Sequence, residues 1–289
     1  MNSFYLPSSC LPFDLDLTFS CGQIFGWKKI RKTWKGVHKG RIITLKMEKR
    51  TISYSGCNSD TLFNFLGLKD NPGDIYRSIN NSITKYNHGS EDSFFNEMYE
   101  LSKGIRILRQ DPWECLISFI CSQNSNVQAI GKRIILLMKN YGPICSNDEN
   151  LFPNAGILSE STQDDLRKCQ TGYRAPYLKG TAEYIKNNSD FFDQVFILQY
   201  QEAKNALMKL PGVGPKVADC VLLFGFERME AVPVDIRIRR IITQQYADKL
   251  PTHYAASEYS YNTISDFCRN YFGPYAGYAQ QYLFATRDI

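Results

Sequence analysis

Histidine is scarce in this chain, and its cysteines are not arranged for a structural role. The three histidines, His38, His88 and His253, stand far apart and form no metal spacing, so no zinc site is expected. The nine cysteines (Cys10, Cys21, Cys57, Cys115, Cys121, Cys145, Cys169, Cys220, Cys268) are odd in number and scattered, with no C-x-x-C pair. No apolar h-region precedes them, and no stretch approaches the length of a membrane span. The expectation is an intracellular, reduced protein with no membrane contact, in the cytoplasm or nucleoid, or in the nucleus if the source is eukaryotic. The sequons at Asn80 and Asn187 are then without meaning. The nucleotide loop G-x-x-x-x-G-K-[ST] is also missing, which argues against a nucleoside triphosphate. What is present is a chain of 289 residues, 43% hydrophobic, with net charge +5 and a pI near 8.6. That length leaves room for two domains, and the mild basic excess permits nucleic-acid binding without requiring it.

The chemistry concentrates in residues 209–240, KLPGVGPKVADCVLLFGFERMEAVPVDIRIRR. Gly212 and Gly214 make a tight loop, and Pro215 stands where a first helical residue has no intrahelical N–H bond to lose. Val217, Cys220, Val221 and Phe224 then repeat at i, i+3, i+4, i+7 as one apolar stripe, with Lys216 and Asp219 on other faces and Gly225 as the stop. Ala206, Leu207 and Leu210 belong to a partner helix, so the stretch reads as helix, Gly-x-Gly hairpin, helix. The exposed amides of such a hairpin suit a phosphate. Asp235 precedes a second helical pattern in which Ile238, Ile241 and Ile242 recur. It fits a helix N-cap, and a carboxylate fixed there can also stabilise a developing cation. Lys216 fits either a solvated surface lysine or an amine nucleophile; the latter needs desolvation or a helix start to lower a free titration point near 10.4.

The run LPGVGPKVADC followed by VPVD resembles the helix-hairpin-helix DNA glycosylase superfamily, and within it the 8-oxoguanine DNA glycosylases. The resemblance implies that Lys216 attacks the sugar C1′ of a damaged nucleotide and that Asp235 assists base departure. It implies DNA phosphate contacts from Gly212, Gly214, Val217 and Arg237, the last standing where the family has histidine. Cys21-Gly22-Gln23-Ile24-Phe25 resembles the family's S-G-Q-x-F, in which the glycine carbonyl reads the base. Oxidised guanine carries an N7 hydrogen where guanine has a lone pair, so a carbonyl aimed there tells the two apart; a plain hairpin glycine is the alternative. Residues 273–284, GPYAGYAQQYLF, match the family's G-P-Y-A-G-x-A-Q-x-x-L-F. The resemblance places Gln280 at the base's Watson–Crick edge and stacks the base between Phe284 and Cys220, although Phe284 also fits a terminal core anchor. Asn124 matches the asparagine that fills the hole left by the extruded base, and Tyr173 and Arg174 match the family's wedge and opposite-base contact. Five residues after Asn124 the family has an arginine on the orphaned cytosine, whereas this chain has Ala129, so relaxed opposite-base selectivity is expected.

The expected fold is α+β. Residues 1–104 would form an N-terminal antiparallel β-sheet domain with helices, and 105–289 an all-helical helix-hairpin-helix domain. Period-two alternation over residues 12–55, beginning with Phe13, Leu15, Leu17 and Phe19, predicts the sheet. Leu62, Phe65 and Leu66, then Ile75, Ile79 and Ile83, begin the helices. Asp111-Pro112-Trp113-Glu114 gives a cap, an N1 proline and an N3 glutamate for a buried helix, and residues 127–141 form the next. The basic run Lys28 to Lys32 fits a solvated strand edge. No four-cysteine set follows the hairpin, so no iron–sulfur cluster is expected; the resemblance admits a structural monovalent cation there. The expectation is a monomeric glycosylase and lyase acting on double-stranded DNA with oxidised guanine. A monofunctional alkylated-base glycosylase and a non-catalytic helix-hairpin-helix module are the alternatives.

Overall fold

The computed structural model describes residues 2–145, 148–251 and 259–286, which leaves His253 outside the described residues. Its strands are β1 (Asn2–Tyr5), β2 (Lys28–Ile30), β3 (Thr33–His38), β4 (Arg41–Glu48) and β5 (Thr51–Ser55), antiparallel in the order β1-β5-β4-β3-β2. Alternation makes one face apolar: Ile43, Leu45, Ile52 and Tyr54 are buried, with Trp34 set opposite Leu45. The lysine-rich β2 is an edge strand whose three residues are all exposed, which discourages pairing with another chain.

Two local expectations fail. Leu15–Ser20 is a helix, α1, rather than the opening strand. Asp14 caps it by accepting from Leu17 N at 2.8 Å, and Leu15, Thr18 and Phe19 face inward at i, i+3 and i+4. A period-two run this short satisfies a helical face as well, and the cap decides between them. The sheet also takes β1 from residues with no strand signature, because β5 offers it an open edge.

The remaining helices are α2 (Ser59–Phe65), α3 (Pro72–Tyr86), α4 (Ser93–Ser102), α5 (Pro112–Cys121), α6 (Val127–Tyr141), α7 (Ala155–Glu160), α8 (Gln163–Lys168) and α9 (Ala175–Asn187). They continue as α10 (Phe191–Ile197), α11 (Tyr200–Leu207), α12 (Pro215–Gly225), α13 (Ile236–Gln245), α14 (Tyr261–Phe272) and α15 (Ala276–Ala285). Asp111 caps α5 by accepting from Trp113 N and Glu114 N at 3.0 Å each, and Asn126 caps α6. A smaller core under the sheet holds Phe19, Ile43, Leu45, Ile52 and Phe65. The larger core is helical, and it includes Ile75, Ile79, Ile83, Phe95 and Met98 from before residue 105, because α3 and α4 pack on α14 and α15.

α12 departs from the single apolar stripe: every residue from Val217 to Gly225 is buried, Asp219 included. A helix buried all round must sit centrally. It packs on α5 and α11, and only its first turn reaches solvent.

Arg109 joins the two cores. It donates to both Asp70 oxygens at 2.6 and 2.8 Å, to Glu227 at 3.1 Å and to the Ile107 carbonyl at 2.6 Å, with 8% of its side chain exposed. Tyr278 OH adds a 2.5 Å bond to Asp70. Removing the guanidinium leaves a largely buried carboxylate uncompensated. Arg109→Met is therefore expected to lower stability by about 3 kcal/mol, read from urea unfolding. A loss below about 0.5 kcal/mol would place the joint elsewhere.

Candidate active site

The hairpin between α11 and α12 is pinned by its neighbours. Gly212 has φ +76°, and a Cβ there would come within 2.6 Å of the Tyr177 ring, so only glycine fits. Thr181 Oγ donates to the Pro211 carbonyl and Gln123 Nε2 to the Gly212 carbonyl, each at 2.9 Å. Gly214 is the N-cap of α12, with open space where a Cβ would stand. Val217 is buried, so only its main chain can face a ligand.

Lys216, in that first turn, is half-buried rather than solvated. Its Nζ donates to Ser122 Oγ at 3.2 Å and lies 5.0 Å from the centroid of the Phe119 ring. Cys220 follows one turn later. Burial pushes its thiol up to about 11, although the Lys216 ammonium pulls the other way and outweighs the opposing Asp219 and Asp235 charges. Asp235 is the N-cap of α13 and accepts from Ile238 N at 2.8 Å through Oδ1; Oδ2 makes no hydrogen bond among the described residues. Lys216 and Asp235 line one open cleft, together with Gly22, Phe119, Ser122, Asn124, Gly214, Arg237 and Phe284.

The Gly22 edge of the cleft is held by Gln23, which is fully buried. Gln23 Nε2 donates to the Thr18 and Arg106 carbonyls at 2.9 and 2.7 Å, its Oε1 accepts from Leu108 N at 2.8 Å, and its own carbonyl accepts from Gln110 Nε2 at 2.6 Å. Gln110 N in turn donates to the Phe224 carbonyl at 2.8 Å, so the Gly22 turn, φ +82°, is tied to α12. On the other side Phe284 is partly exposed in the cleft and also packs on the core, so wall and anchor coexist. Cys220 and Gln280 are buried behind the lining, where Gln280 Oε1 accepts from Gln281 Nε2 at 3.0 Å.

A second cluster borders the cleft. Asn124 adopts φ +44°, a left-handed conformation that asparagine tolerates, and its Nδ2 donates to Tyr173 OH at 3.0 Å. Tyr173 is 49% exposed, and the Arg174 guanidinium lies 4.4 Å from its ring centroid.

Residues 6–116 match the family described as "8-oxoguanine DNA glycosylase, N-terminal domain", and residues 117–260 the "HhH-GPD superfamily base excision DNA repair protein". The chain is 31% identical over 287 residues to N-glycosylase/DNA lyase OGG1 of Arabidopsis thaliana, covering 93% of this chain and 76% of that one. The chain belongs to the 8-oxoguanine DNA glycosylase family. The N-glycosylase/DNA lyase of Saccharomyces cerevisiae is 37% identical over 213 residues, 63% of this chain and 57% of the relative. The fold superposes on the Clostridium acetobutylicum 8-oxoguanine glycosylase/lyase in complex with dsDNA containing cytosine opposite 8-oxoG. There the TM-score is 0.83 and the identity 30%, covering 94% of this chain and 91% of that one.

Within this family frame two side chains, Arg174 and Arg237, make contacts inside the protein at the positions where the resemblance implies DNA contacts. Arg174 is buried and turned inward, donating to the carbonyls of Gln123 (3.0 Å from Nε), Asn124 and Thr171, so it scaffolds the Asn124 turn. Arg237 donates to the Thr286 carbonyl, with its guanidinium 5.5 Å from the Phe284 ring centroid. Ala129 occupies the first turn of α6, and Arg133, one turn on, reaches back to Ser125 Oγ at 2.6 Å, the Cys121 carbonyl at 3.2 Å and the Gln170 carbonyl at 2.8 Å. Desolvation and the nearby Arg174 charge lower the Arg133 pKa. Ser122, Gln23, Gln123 and Arg133 were not singled out in the sequence. Gln23 stands in the S-G-Q-x-F match and Arg133 lies i, i+4 from Ala129, and those two relations are the signals that could have marked them. Among the described residues no group of three His, Cys, Asp or Glu side chains could hold a metal ion.

The Cys220 shift keeps its thiol neutral. With the thiol pushed up to about 11, only about one molecule in a thousand is thiolate at pH 8. Iodoacetamide at pH 8 should leave Cys220 unmodified in the folded protein while the partly exposed Cys145 reacts, as mapped by peptide mass spectrometry. Equal labelling of the two would contradict the assignment.

Proposed function

We propose that this chain excises 8-oxoguanine from double-stranded DNA as a bifunctional glycosylase and AP lyase, with Lys216 as nucleophile and Asp235 as the carboxylate partner. The observation that carries the assignment is the placement of the Lys216 Nζ inside the cleft, against Ser122 and Phe119, on the same surface as Asp235. A surface lysine would point to water.

In this reading the amides around Gly212, Gly214 and Val217 take a phosphate, and Arg237 assists by swinging from the Thr286 carbonyl. Asn124 and Tyr173 enter the duplex as one hydrogen-bonded unit and occupy the space of the extruded nucleotide. The Gly22 carbonyl accepts from N7–H of the oxidised base, and Phe284 stacks on its face. Cys220 backs the opposite wall as a neutral thiol, and Gln280 reaches the base edge by leaving Gln281. As the glycosidic bond breaks, the Asp235 carboxylate stabilises the oxocarbenium-like sugar and the unprotonated Lys216 amine adds to C1′. Ring opening gives a Schiff base between Nζ and C1′. Loss of the C2′ proton then expels the 3′ phosphate, which nicks the strand.

The opposite-base rule is relaxed in this reading. Ala129 lacks the arginine fork, and Arg174 spends its donors on the Gln123 turn. The chain acts as an intracellular monomer that does not engage a membrane; no helix among the described residues is long and apolar enough to cross one. A structural monovalent cation would be held by main-chain oxygens of the hairpin. The carbonyls of Leu210, Pro211 and Gly212 each accept one hydrogen bond and keep a second lone pair. It would hold the turn and take no part in the chemistry.

Borohydride trapping on duplexes with 8-oxoguanine opposite each of the four bases tests the reading. Wild type should give a covalent adduct and Lys216→Gln none, with wild-type yields alike across opposite bases to within about threefold, a window set by a difference near 0.7 kcal/mol. Free base released without an adduct would point to the monofunctional mechanism. A strong cytosine preference would overturn the relaxed rule.

A further inference from the structure

Asp219 is a buried carboxylate that the chemistry above does not use. It lies three residues after Lys216 on the buried helix α12 and is itself 0% exposed. Its Oδ2 accepts from Lys204 Nζ of α11 at 2.8 Å and from Tyr261 OH of α14 at 2.6 Å, and its Oδ1 accepts from Tyr200 OH at 2.6 Å. Arg269 Nη1 donates to Tyr200 OH at 2.9 Å, so a second cation backs the first. The ion pair is thus closed by two phenols, the arrangement that makes a buried carboxylate tolerable.

One of those phenols also touches the catalytic segment. Tyr261 OH lies 2.6 Å from Asp219 Oδ2 and 3.2 Å from the Val232 carbonyl; the shorter, charged contact takes its proton, and Val234 N donates to the same oxygen at 3.3 Å. Val234 is buried, and the preceding Pro233 has no N–H to give. The Tyr261 oxygen is therefore the hydrogen-bond acceptor for the amide of the residue immediately before Asp235. On the far side Asp235 is held by its own cap bond to Ile238 N. Tyr261 also lines the cleft.

We propose that Tyr261 is a positioning residue for the reaction: it couples the buried Lys204–Asp219 pair on the helix carrying Lys216 to the strap carrying Asp235, and so sets the carboxylate's direction toward the sugar. The inference rests on the roles given above to Lys216 and Asp235. One phenolic oxygen links α12, α14 and the 232–235 strap, so the spacing between nucleophile and carboxylate is fixed from behind the cleft. A small displacement of a reacting group is costly because rate depends steeply on near-attack geometry.

Tyr261→Phe removes that oxygen and leaves the ring. In single-turnover base release from an 8-oxoguanine duplex, the expected loss is on the order of 10-fold to 100-fold, with duplex affinity changed less than about twofold. In an Asp235→Asn background the same substitution should add no further loss, because it acts through that carboxylate. Tyr200→Phe removes the phenol on the other Asp219 oxygen without touching the strap, and it should release base at the wild-type rate. An unchanged rate for Tyr261→Phe, an undiminished loss in the Asp235→Asn background, or equal slowing by Tyr200→Phe would each overturn the proposal, the last assigning the cluster to stability alone. Absence of base release by the wild type would instead refute the underlying reading.

Discussion

The burial of α12 on all sides is the constraint from which the rest of the site follows. A helix whose residues from Val217 to Gly225 are all inaccessible can present only its N-terminal turn to a ligand. That turn carries Gly214, Pro215 and Lys216, so amides, a helix dipole and an amine arrive together at one place. The same burial takes Asp219 out of water and obliges the neighbouring helices to supply Lys204, Tyr200 and Tyr261. Those neighbours scaffold α12, and of the three Tyr261 alone also bonds the segment before Asp235.

Around this helix the cleft is assembled from distant pieces by main-chain carbonyls acting as anchors. The Gln123 carbonyl gathers Arg174, while the Gln123 side chain holds the Gly212 carbonyl, so the Asn124 turn and the Gly212 hairpin share one residue. Gln23 and Gln110 tie the Gly22 turn to the end of α12 in the same manner. Buried amides serve well here because each side chain both donates and accepts, and so can bridge two segments. The Gly22 turn, the Asn124 turn and the first turn of α12 are thus mechanically connected.

Much of this was legible in the chain because its signals are local. The Asp111 cap, the helix over residues 127–141, the hairpin glycines and the Asp235 cap each depend on a few adjacent residues, and each stands where the pattern placed it. The segment from Phe13 to Phe19 misled because four alternating apolar residues suit two periods. β1 was invisible because its partner strand, not its own composition, makes it a strand. The inward turn of Arg174 was equally hidden, since an arginine beside a tyrosine reads the same whether its donors meet a base or a carbonyl.

By itself the sequence determined the helix-hairpin-helix unit, the family and the Asp235 cap, because motif spacing and capping chemistry are properties of short stretches. Only the tertiary structure decided that Lys216 faces Ser122 and Phe119, that Arg133 reaches back past the turn containing Ala129, and that Asp219 is neutralised from α11 and linked through α14 to the catalytic strap. Those contacts join residues 8 to 97 positions apart, and most of them 27 or more. The desolvation that gives each of them its meaning exists only once the helices have closed over α12.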